Sequence, residues 1–430
     1  MNEIVGSLKW LGIDWDEGPD KGGPYQSYRQ SERRDIYEKH LAALMREGLA
    51  YYCYCTHEKL ASERENNLSA GKPAVYSRRC RYLTNEERIV RQAENPHPII
   101  RFAVPERSMQ IIVDDLIFKS ASFDANTIGD FVIKKRDGMP TYNFAASIDD
   151  MEMKISHVIR GVDHLSNTPK QILIYQALRK KPPLFAHLPL LIGSDKQPLS
   201  KRHGDVSIAE FRAKGFLPRT LINYLALLGW SYDEKTTVFS KDELIEKFSV
   251  EKVSKSPAMF DTAKLEWMNG LYIRNMTAAQ LADELESYLK YKGIYDRYDF
   301  NKITLEQVCG IIQEKVKTLE EFSEIADFLY FDRKFEDKAI EKLLKTDPDG
   351  KLLKAAEADI SLVEPFERIK LELGLRDLAD KLETKPSNLF QSIRIAISGK
   401  TITPGLFESL ELLGKDTVLK RIEETLEKYF

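Results

Sequence analysis

The stretch "ISHVIRGVDHLSNTPKQILIYQALRKKPPLFAHLPLLIG", Ile155 to Gly193, decides how the middle of this chain folds. It opens with a short apolar run, "ISHVIRG". Next comes "NTPKQILIYQALRKK", an amphipathic helix with Pro169 in its first turn and Asn167 or Thr168 as its cap. "PLFAHLPLLIG" is a second apolar run. Strand, helix and strand in this order predict a parallel βαβ unit, because parallel neighbours need a long crossover between them. Just upstream, "DFVIKK" reads as another strand, closed by the turn "RDGMP". Residues 122–215 are therefore expected to be α/β.

Working outward, "MNEIVGSLKWLGIDWDEG" begins inside an amphipathic helix, with Ile4, Val5, Leu8 and Leu11 on one face. A turn-rich stretch follows. A second helix is predicted over Arg33 to Glu47, with Ile36, Tyr37, Leu41 and Leu44 at helical spacing and Gly48 as its stop. Residues 50–120 hold a cluster of cysteines, a flexible "ENNLSAGKPA", and the β-like runs "PIIRFAVP" and "MQIIVDDLIF". From about residue 206 the three-four spacing of helices runs almost unbroken to the end, with a boundary expected near 300 at "RYDFNKIT".

A chain of 430 residues is too long for one core and predicts two to four domains. Apolar residues at 43% and charged residues at 30% exclude a disordered chain. No apolar run reaches the roughly 18 residues a membrane helix needs, so no membrane partner is expected. The net charge of −3 argues neither for nor against nucleic acid, so any basic surface must be local. Of four cysteines, Cys53, Cys55 and Cys80 cluster and Cys309 stands alone. Clustered thiols in a long chain without a signal peptide point to a metal site in a reducing compartment more than to disulfides.

Two segments carry paired cations and hydroxyls. "LPLLIGSDKQPLSKRHGD" places Lys201 and Arg202 after an apolar strand and the Gly193 turn, the setting in which open α/β sheets bind ligands. Cations there can neutralise charge that grows on a leaving pyrophosphate. "EKVSKSPAMFD" follows a helix instead. Its Pro257 and Asp261 read as a bend and a helix cap, and Lys252 and Lys255 as a solvated loop.

At these residues the chain resembles a known family. "PLSKRHGDVSIAEFRAKGFLPRTLINYLALLGWS" is similar to the second signature region of bacterial and organellar glutamyl-tRNA synthetases, which are class I aminoacyl-tRNA synthetases. "SLKWLGIDWDEGP", "GMPTYNFAASIDDMEMKISHVIRGVDHLSNTPKQILIYQAL", "KVSKSPAMFDTAKLEWMNGLYI" and "TPGLFESLELLGKDTVLKRIE" match the same family in order, weakest over 300–385.

The resemblance implies roles. Lys201 corresponds to the ATP-contacting lysine of a mobile loop, flanked by Ser200 and Arg202, with Pro198 in place of the loop's usual first lysine. Tyr142 and Arg160 correspond to glutamate-binding residues. A guanidinium fork suits a carboxylate bidentately, although an arginine taken alone there reads equally well as a surface salt bridge. Asp163 and His164 correspond to contacts near ATP, with Val162 replacing a frequent acidic residue. Cys53-x-Cys55, 24 residues and Cys80 resemble the zinc site of the family's acceptor-stem insertion. Tyr82 occupies the usual fourth ligand position, and Tyr76 that of a known tyrosine variant. Arg394 in "SIRIAIS" is a candidate for stacking on an anticodon base.

The family's first signature, a His-Ile-Gly-His helix start, is absent: none of the seven histidines (His40, His57, His97, His157, His164, His187, His203) is followed by Ile-Gly. The family's first strand is absent with it, so the chain is read as N-terminally truncated and, by itself, is expected to bind tRNA-Glu but to make no glutamyl-adenylate.

The expected fold is therefore α/β plus all-α: an incomplete class I nucleotide-binding (Rossmann-like) fold with an α+β insertion, then helical domains. The expected division is 1–50 as a remnant of the first half-fold, 51–121 as the acceptor-stem insertion, and 122–215 as the second half-fold with the lysine loop. Residues 216–300 follow as a stem-contact domain and 301–430 as an anticodon-binding domain. The expected function is ATP-dependent activation of glutamate and its transfer to the 3′ end of tRNA-Glu, with tRNA-Gln as a further substrate the family allows. ATP with Mg2+ and one structural Zn2+ are the expected cofactors. A cytoplasmic monomer is expected, with an organellar matrix as the other compartment. The alternative is a non-catalytic tRNA-binding protein. A short relative that glutamylates a modified tRNA base would lack the long helical C-terminal region.

Overall fold

In a computed structural model that describes residues 2–106, 109–200 and 207–430, nine strands form three sheets. They are β1 (Ala50–Cys53), β2 (Ile99–Phe102), β3 (Gln110–Asp115), β4 (Lys119–Asp124), β5 (Phe131–Lys134), β6 (His157–Gly161), β7 (Leu184–Leu188), β8 (Leu191–Ile192) and β9 (Ala258–Met259). The chain divides into two compact units. One is Ile13–Leu199 with Ala226–Phe260; the other is Met1–Gly12, Ser200–Leu225 and Asp261–Phe430.

In the first unit the crossover predicted from residues 155–193 is formed. β6 and β7 pair in parallel, with Arg160 opposite His187, and helix Thr168–Ala177 joins them. That helix is buried along most of its length, from Thr168 and Pro169 through Tyr175, as a helix covering a parallel sheet must be. The sheet order is β4-β3-β7-β6, mixed rather than purely parallel. Its β3 and β4 form a hairpin that lies before position 121 apart from the end of β4. β5, which falls within the region 122–215 expected as the second half-fold, instead closes an antiparallel sheet in the order β1-β2-β5. Sheet pairing therefore crosses the boundary expected at 121.

Side chains explain the exchange. Burial along β3 alternates, with Ile111, Val113 and Asp115 facing inward, so this strand has a core face to offer β7. At the start of β5, the Asp130 carboxylate accepts from Tyr51 Oη at 2.7 Å and from Val104 N at 3.0 Å. The Phe102 and Phe131 rings stack 5.1 Å apart. These contacts fasten β5 to the cysteine-bearing sheet. Helix Arg34–Arg46 is anchored by buried Arg33, whose Nε donates to Asp149 Oδ1 at 2.8 Å, while Tyr37 Oη donates to the same carboxylate.

The second unit is helical. One hydrophobic core runs from Leu217 and Ile273 through Leu289 and Val308 to Ile422, and so crosses the boundary expected at 300. Buried Asn269 ties it internally, accepting from Leu217 N at 2.9 Å and donating to Lys317 O at 2.6 Å. Gly215 has φ +74°, and a Cβ there would lie 2.5 Å from Glu320 N. Only glycine fits this close approach. Arg421 donates to the carbonyls of Phe328, Ile397 and Phe331 at 2.7–2.9 Å. Helix Asn2–Trp10 belongs to this unit too. Its Leu8 is half-buried and Leu11, just past its end, is buried, but Ile4 is 67% exposed and so leaves the apolar face expected for it. The Arg212 guanidinium lies over two rings, 5.7 Å from Trp10 and 3.9 Å from Tyr291. Among the described residues no helix is long and apolar enough to cross a membrane.

Candidate active site and cysteine cluster

Tyr142 begins helix Tyr142–Glu152 and Arg160 lies near the end of β6. The structure brings them together, with Arg160 Nη1 donating to Tyr142 Oη at 3.2 Å. The rest of the guanidinium is held from behind. Nε donates to His187 Nε2 at 3.2 Å, and Nη2 donates to Thr168 Oγ1 and Gln171 Oε1, both at 2.8 Å. Four of its five N–H groups are thus engaged. This corrects the expectation of a bidentate fork. One Nη1 N–H remains, beside a phenol that accepts from Arg160 and keeps its own proton to donate. Among the described residues Arg160 forms no ion pair with a carboxylate, so the salt-bridge reading does not hold there.

Behind Arg160 the side chains of His187 and Asp115 are fully buried, with His187 Nδ1 2.6 Å from Asp115 Oδ2. Burial pulls the His187 pKa down. In front, the His164 ring lies 5.3 Å from that of Tyr142. His164 Nδ1 is 3.3 Å from Asn167 Nδ2, and its Nε2 is 3.6 Å from exposed Asp163. Asn143 Nδ2 donates to Asn167 Oδ1 at 3.3 Å, while Asn143 Oδ1 is buried without a partner among the described residues. Asp150 is pushed up to about 6 by burial and by Asp149, against the opposing pull of Arg160. Tyr142, Arg160, Asp163 and His164 therefore share one neighbourhood that offers a cation, a phenol and an imidazole.

The lysine loop falls differently. Ser200 is half-exposed, and Lys201 and Arg202 lie outside the described residues. The segment before them is set by β8, which pairs in parallel with β9 through Leu191 opposite Ala258 and Ile192 opposite Met259. Lys252 and Lys255 are exposed and Asp261 caps helix Thr262–Arg274, accepting from Lys264 N at 3.0 Å. Arg394 is half-buried, with Nε on Thr403 Oγ1 and Nη1 on Gln391 Oε1, and is not arranged as a stacking platform.

The three clustered thiols converge. The Sγ atoms of Cys53, Cys55 and Cys80 all lie within 4.8 Å of one another, and Cys55 and Cys80 are 3.6 Å apart. Tyr76 Oη is 3.5 Å from Cys53 Sγ and 3.4 Å from Cys55 Sγ, and accepts from Cys80 N at 3.1 Å. A tetrahedral zinc, with Zn–S of about 2.3 Å and Zn–O of about 2.0 Å, sets edges of about 3.8 Å between sulfurs and about 3.5 Å between sulfur and oxygen. The Cys55–Cys80 edge of 3.6 Å and the Tyr76 edges of 3.5 and 3.4 Å to Cys53 and Cys55 match those values. Hydrogen bonds from Cys55 and Cys80 hold the Cys53 thiol well below the usual range. The buried Arg101 guanidinium lies 4.0 Å over the Tyr76 ring, a placement that favours anionic ligands. Tyr82, the other fourth-ligand candidate, is 63% exposed, with the Arg81 guanidinium 5.8 Å from its ring.

Sequence reasoning missed Asp115, Thr168, Gln171 and His187. A single histidine in the buried strand "LFAHL" was the available signal, since a polar side chain there needs a partner.

Comparison with known proteins fits this layout. Residues 1–267 match the family "tRNA synthetases class I (E and Q), catalytic domain", and residues 280–426 match "Anticodon binding domain". A glutamate--tRNA ligase of Moorella thermoacetica is 44% identical over 426 residues, covering 98% of this chain and 86% of that protein. Glutamate--tRNA ligase 2 of Caldicellulosiruptor saccharolyticus is 43% identical over 428 residues, covering 99% and 88%. The crystal structure of a glutamate tRNA ligase from Elizabethkingia meningosepticum, in complex with its amino acid, superposes with a TM-score of 0.85 at 30% identity, covering 99% of this chain and 89% of that one.

Proposed function

We propose a residue-level reading that starts from one premise: this chain belongs to the glutamate--tRNA ligases, class I tRNA synthetases of the glutamate and glutamine group. In that reading Arg160 and Tyr142 bind the carboxylate of glutamate that is not activated. The observation that carries it is the one Nη1 N–H of Arg160 that stays open among the described residues, beside the Tyr142 hydroxyl, on a guanidinium already fixed by His187, Thr168 and Gln171. A pre-oriented cation of this kind binds an anion at low reorganisation cost.

The other carboxylate attacks the α-phosphorus of ATP, giving glutamyl-adenylate and pyrophosphate. A hydroxyl of the tRNA 3′-terminal ribose then attacks the adenylate carbonyl and releases AMP. No side chain becomes covalently attached, so the protein's work is positioning and charge stabilisation. Lys201, Ser200 and Arg202 are assigned to the departing pyrophosphate, and Asp163 and His164 to ATP, which arrives with Mg2+. Cys53, Cys55, Cys80 and Tyr76 would hold one Zn2+, which would brace the 51–121 region against the acceptor stem. Residues 216–300 would meet the tRNA stem and residues 301–430 the anticodon. A monomer in a reducing cytoplasm is the assembly this reading takes, with tRNA-Glu as substrate and tRNA-Gln as the further one to assay.

The test is glutamate-dependent ATP–pyrophosphate exchange in the parent and in Arg160→Ala. Exchange that needs glutamate, with a steeply raised glutamate KM in the variant, supports the reading; an unchanged KM moves Arg160 to a structural role. The second reading is tRNA binding without adenylation, which the anticodon-binding match over residues 280–426 would serve by itself. A tRNA gel shift with no exchange would select it.

A further inference from the structure

We infer that His187 and Asp115 form a positioning pair that orients the Arg160 guanidinium for substrate, through an imidazole fixed in its Nδ1–H tautomer. This rests on the reading of Arg160 as a glutamate ligand. Arg160 and His187 are direct cross-strand partners on β6 and β7. Arg160 Nε, 3.2 Å from His187 Nε2, can only donate, and Thr168 Oγ1, 3.1 Å from the same nitrogen, accepts from Arg160 Nη2 and has its own proton to give, so Nε2 is assigned as the acceptor. The imidazole proton therefore sits on Nδ1, aimed at Asp115 Oδ2 at 2.6 Å.

Asp115 has no freedom to turn away. It also accepts from His187 N at 3.0 Å, Ile117 N at 2.9 Å and Phe118 N at 2.7 Å. Four N–H donors facing one carboxylate fix its plane. Thr168 and Gln171 grip only Nη2. Without an acceptor at Nε the guanidinium can turn about Nη2 and carry Nη1 away from Tyr142. A protonated His187 would point a second N–H at Arg160 and break the same contact.

Two measurements test this. In protein labelled with 15N in histidine, the His187 resonances, assigned by their loss in His187→Gln, should report a protonated Nδ1 and a bare Nε2. A protonated Nε2 at neutral pH overturns the inference. In exchange assays, His187→Leu should raise the glutamate KM about tenfold to a hundredfold, the loss typical of a hydrogen bond to a charged group. KM for ATP should stay within about twofold, since the pair contacts Arg160 and not the residues assigned to ATP. His187→Gln, whose amide oxygen can replace Nε2 as acceptor, should recover most of the loss. Equal rises for glutamate and ATP, or a glutamine variant as poor as leucine, would show a merely structural role. If His187→Leu does not fold, Asp115→Asn, which disfavours the Nδ1–H tautomer, serves in its place. Should Arg160→Ala raise the glutamate KM while the His187 and Asp115 variants do not, only this inference fails. If Arg160→Ala has no effect, the glutamate reading fails as well.

Discussion

Arg160→Lys keeps the charge and removes the geometry. The guanidinium makes bonds of 3.2 Å to His187 and Tyr142 and of 2.8 Å to Thr168 and Gln171, with one N–H left over. An ammonium has three donors on a stem that does not branch, so it cannot serve those acceptors and a substrate together. At least one buried acceptor, His187 Nε2 or Gln171 Oε1, then loses its donor, which costs stability by about 1–3 kcal/mol. Loss of the oriented contact to substrate, a charge-assisted bond, with the preorganisation behind it, weakens glutamate binding by about 2–4 kcal/mol, or roughly 30-fold to 1,000-fold in KM. Glutamate-dependent ATP–pyrophosphate exchange over a wide glutamate range measures the second effect, and thermal melting the first. A folded lysine variant with a glutamate KM within about threefold of the parent would refute the argument, because charge alone would then suffice.

Lys201→Ala should lower the exchange rate far more than it weakens tRNA binding in a gel shift, while Lys255→Ala, on an exposed loop, should leave exchange nearly untouched. Elemental analysis should find one zinc per chain. Strong chelators should lower the melting temperature, and Tyr76→Phe should speed metal loss while Tyr82→Phe does not; an equal effect of the two would remove Tyr76 from the ligand set. Asp150 is raised from 3.8 to about 6. The folded state therefore holds its proton more tightly, and that contribution is full below about pH 4, then lost as pH rises to about 6. Asp150→Asn should raise the melting temperature at pH 8, by at most about 3 kcal/mol of stability, and leave it unchanged near pH 3.5. A gain of the same size at both pH values would refute the assignment.

The parts legible in the sequence were those set by local pattern. β6, helix Thr168–Ala177 and β7 follow from apolar runs and a proline in the first turn. The convergence of Cys53, Cys55 and Cys80 follows from their clustering, and the exposure of Lys252 and Lys255 from their turn-rich setting. Tyr142 and Arg160 came from family likeness, not from periodicity. What stayed hidden depends on pairing between distant segments. In "QIIVDD" the alternation that puts Ile111 and Val113 inward also puts Asp115 inward, so a buried carboxylate could have been read. Its partner His187, 72 residues away, could not, because that requires the strand order. The same limit hid the exchange of β3 and β5 between sheets, and it turned an imagined two-pronged grip by Arg160 into a single open donor.

The placement of Arg212 near both the Trp10 and the Tyr291 rings sets a timetable for synthesis. At roughly 5–20 residues per second, Arg212 is made on the order of 10–40 s after Trp10, and Tyr291 several seconds later still. Throughout that interval helix Asn2–Trp10 has left the ribosome without the ring and helix partners of its own unit. The unit to which it belongs cannot close in order of translation; it must wait while the intervening sheets are made. A nascent chain halted before Arg212 should therefore display Trp10 to solvent and to chaperones, and release from the halt past Tyr291 should quench that exposure in a single late step.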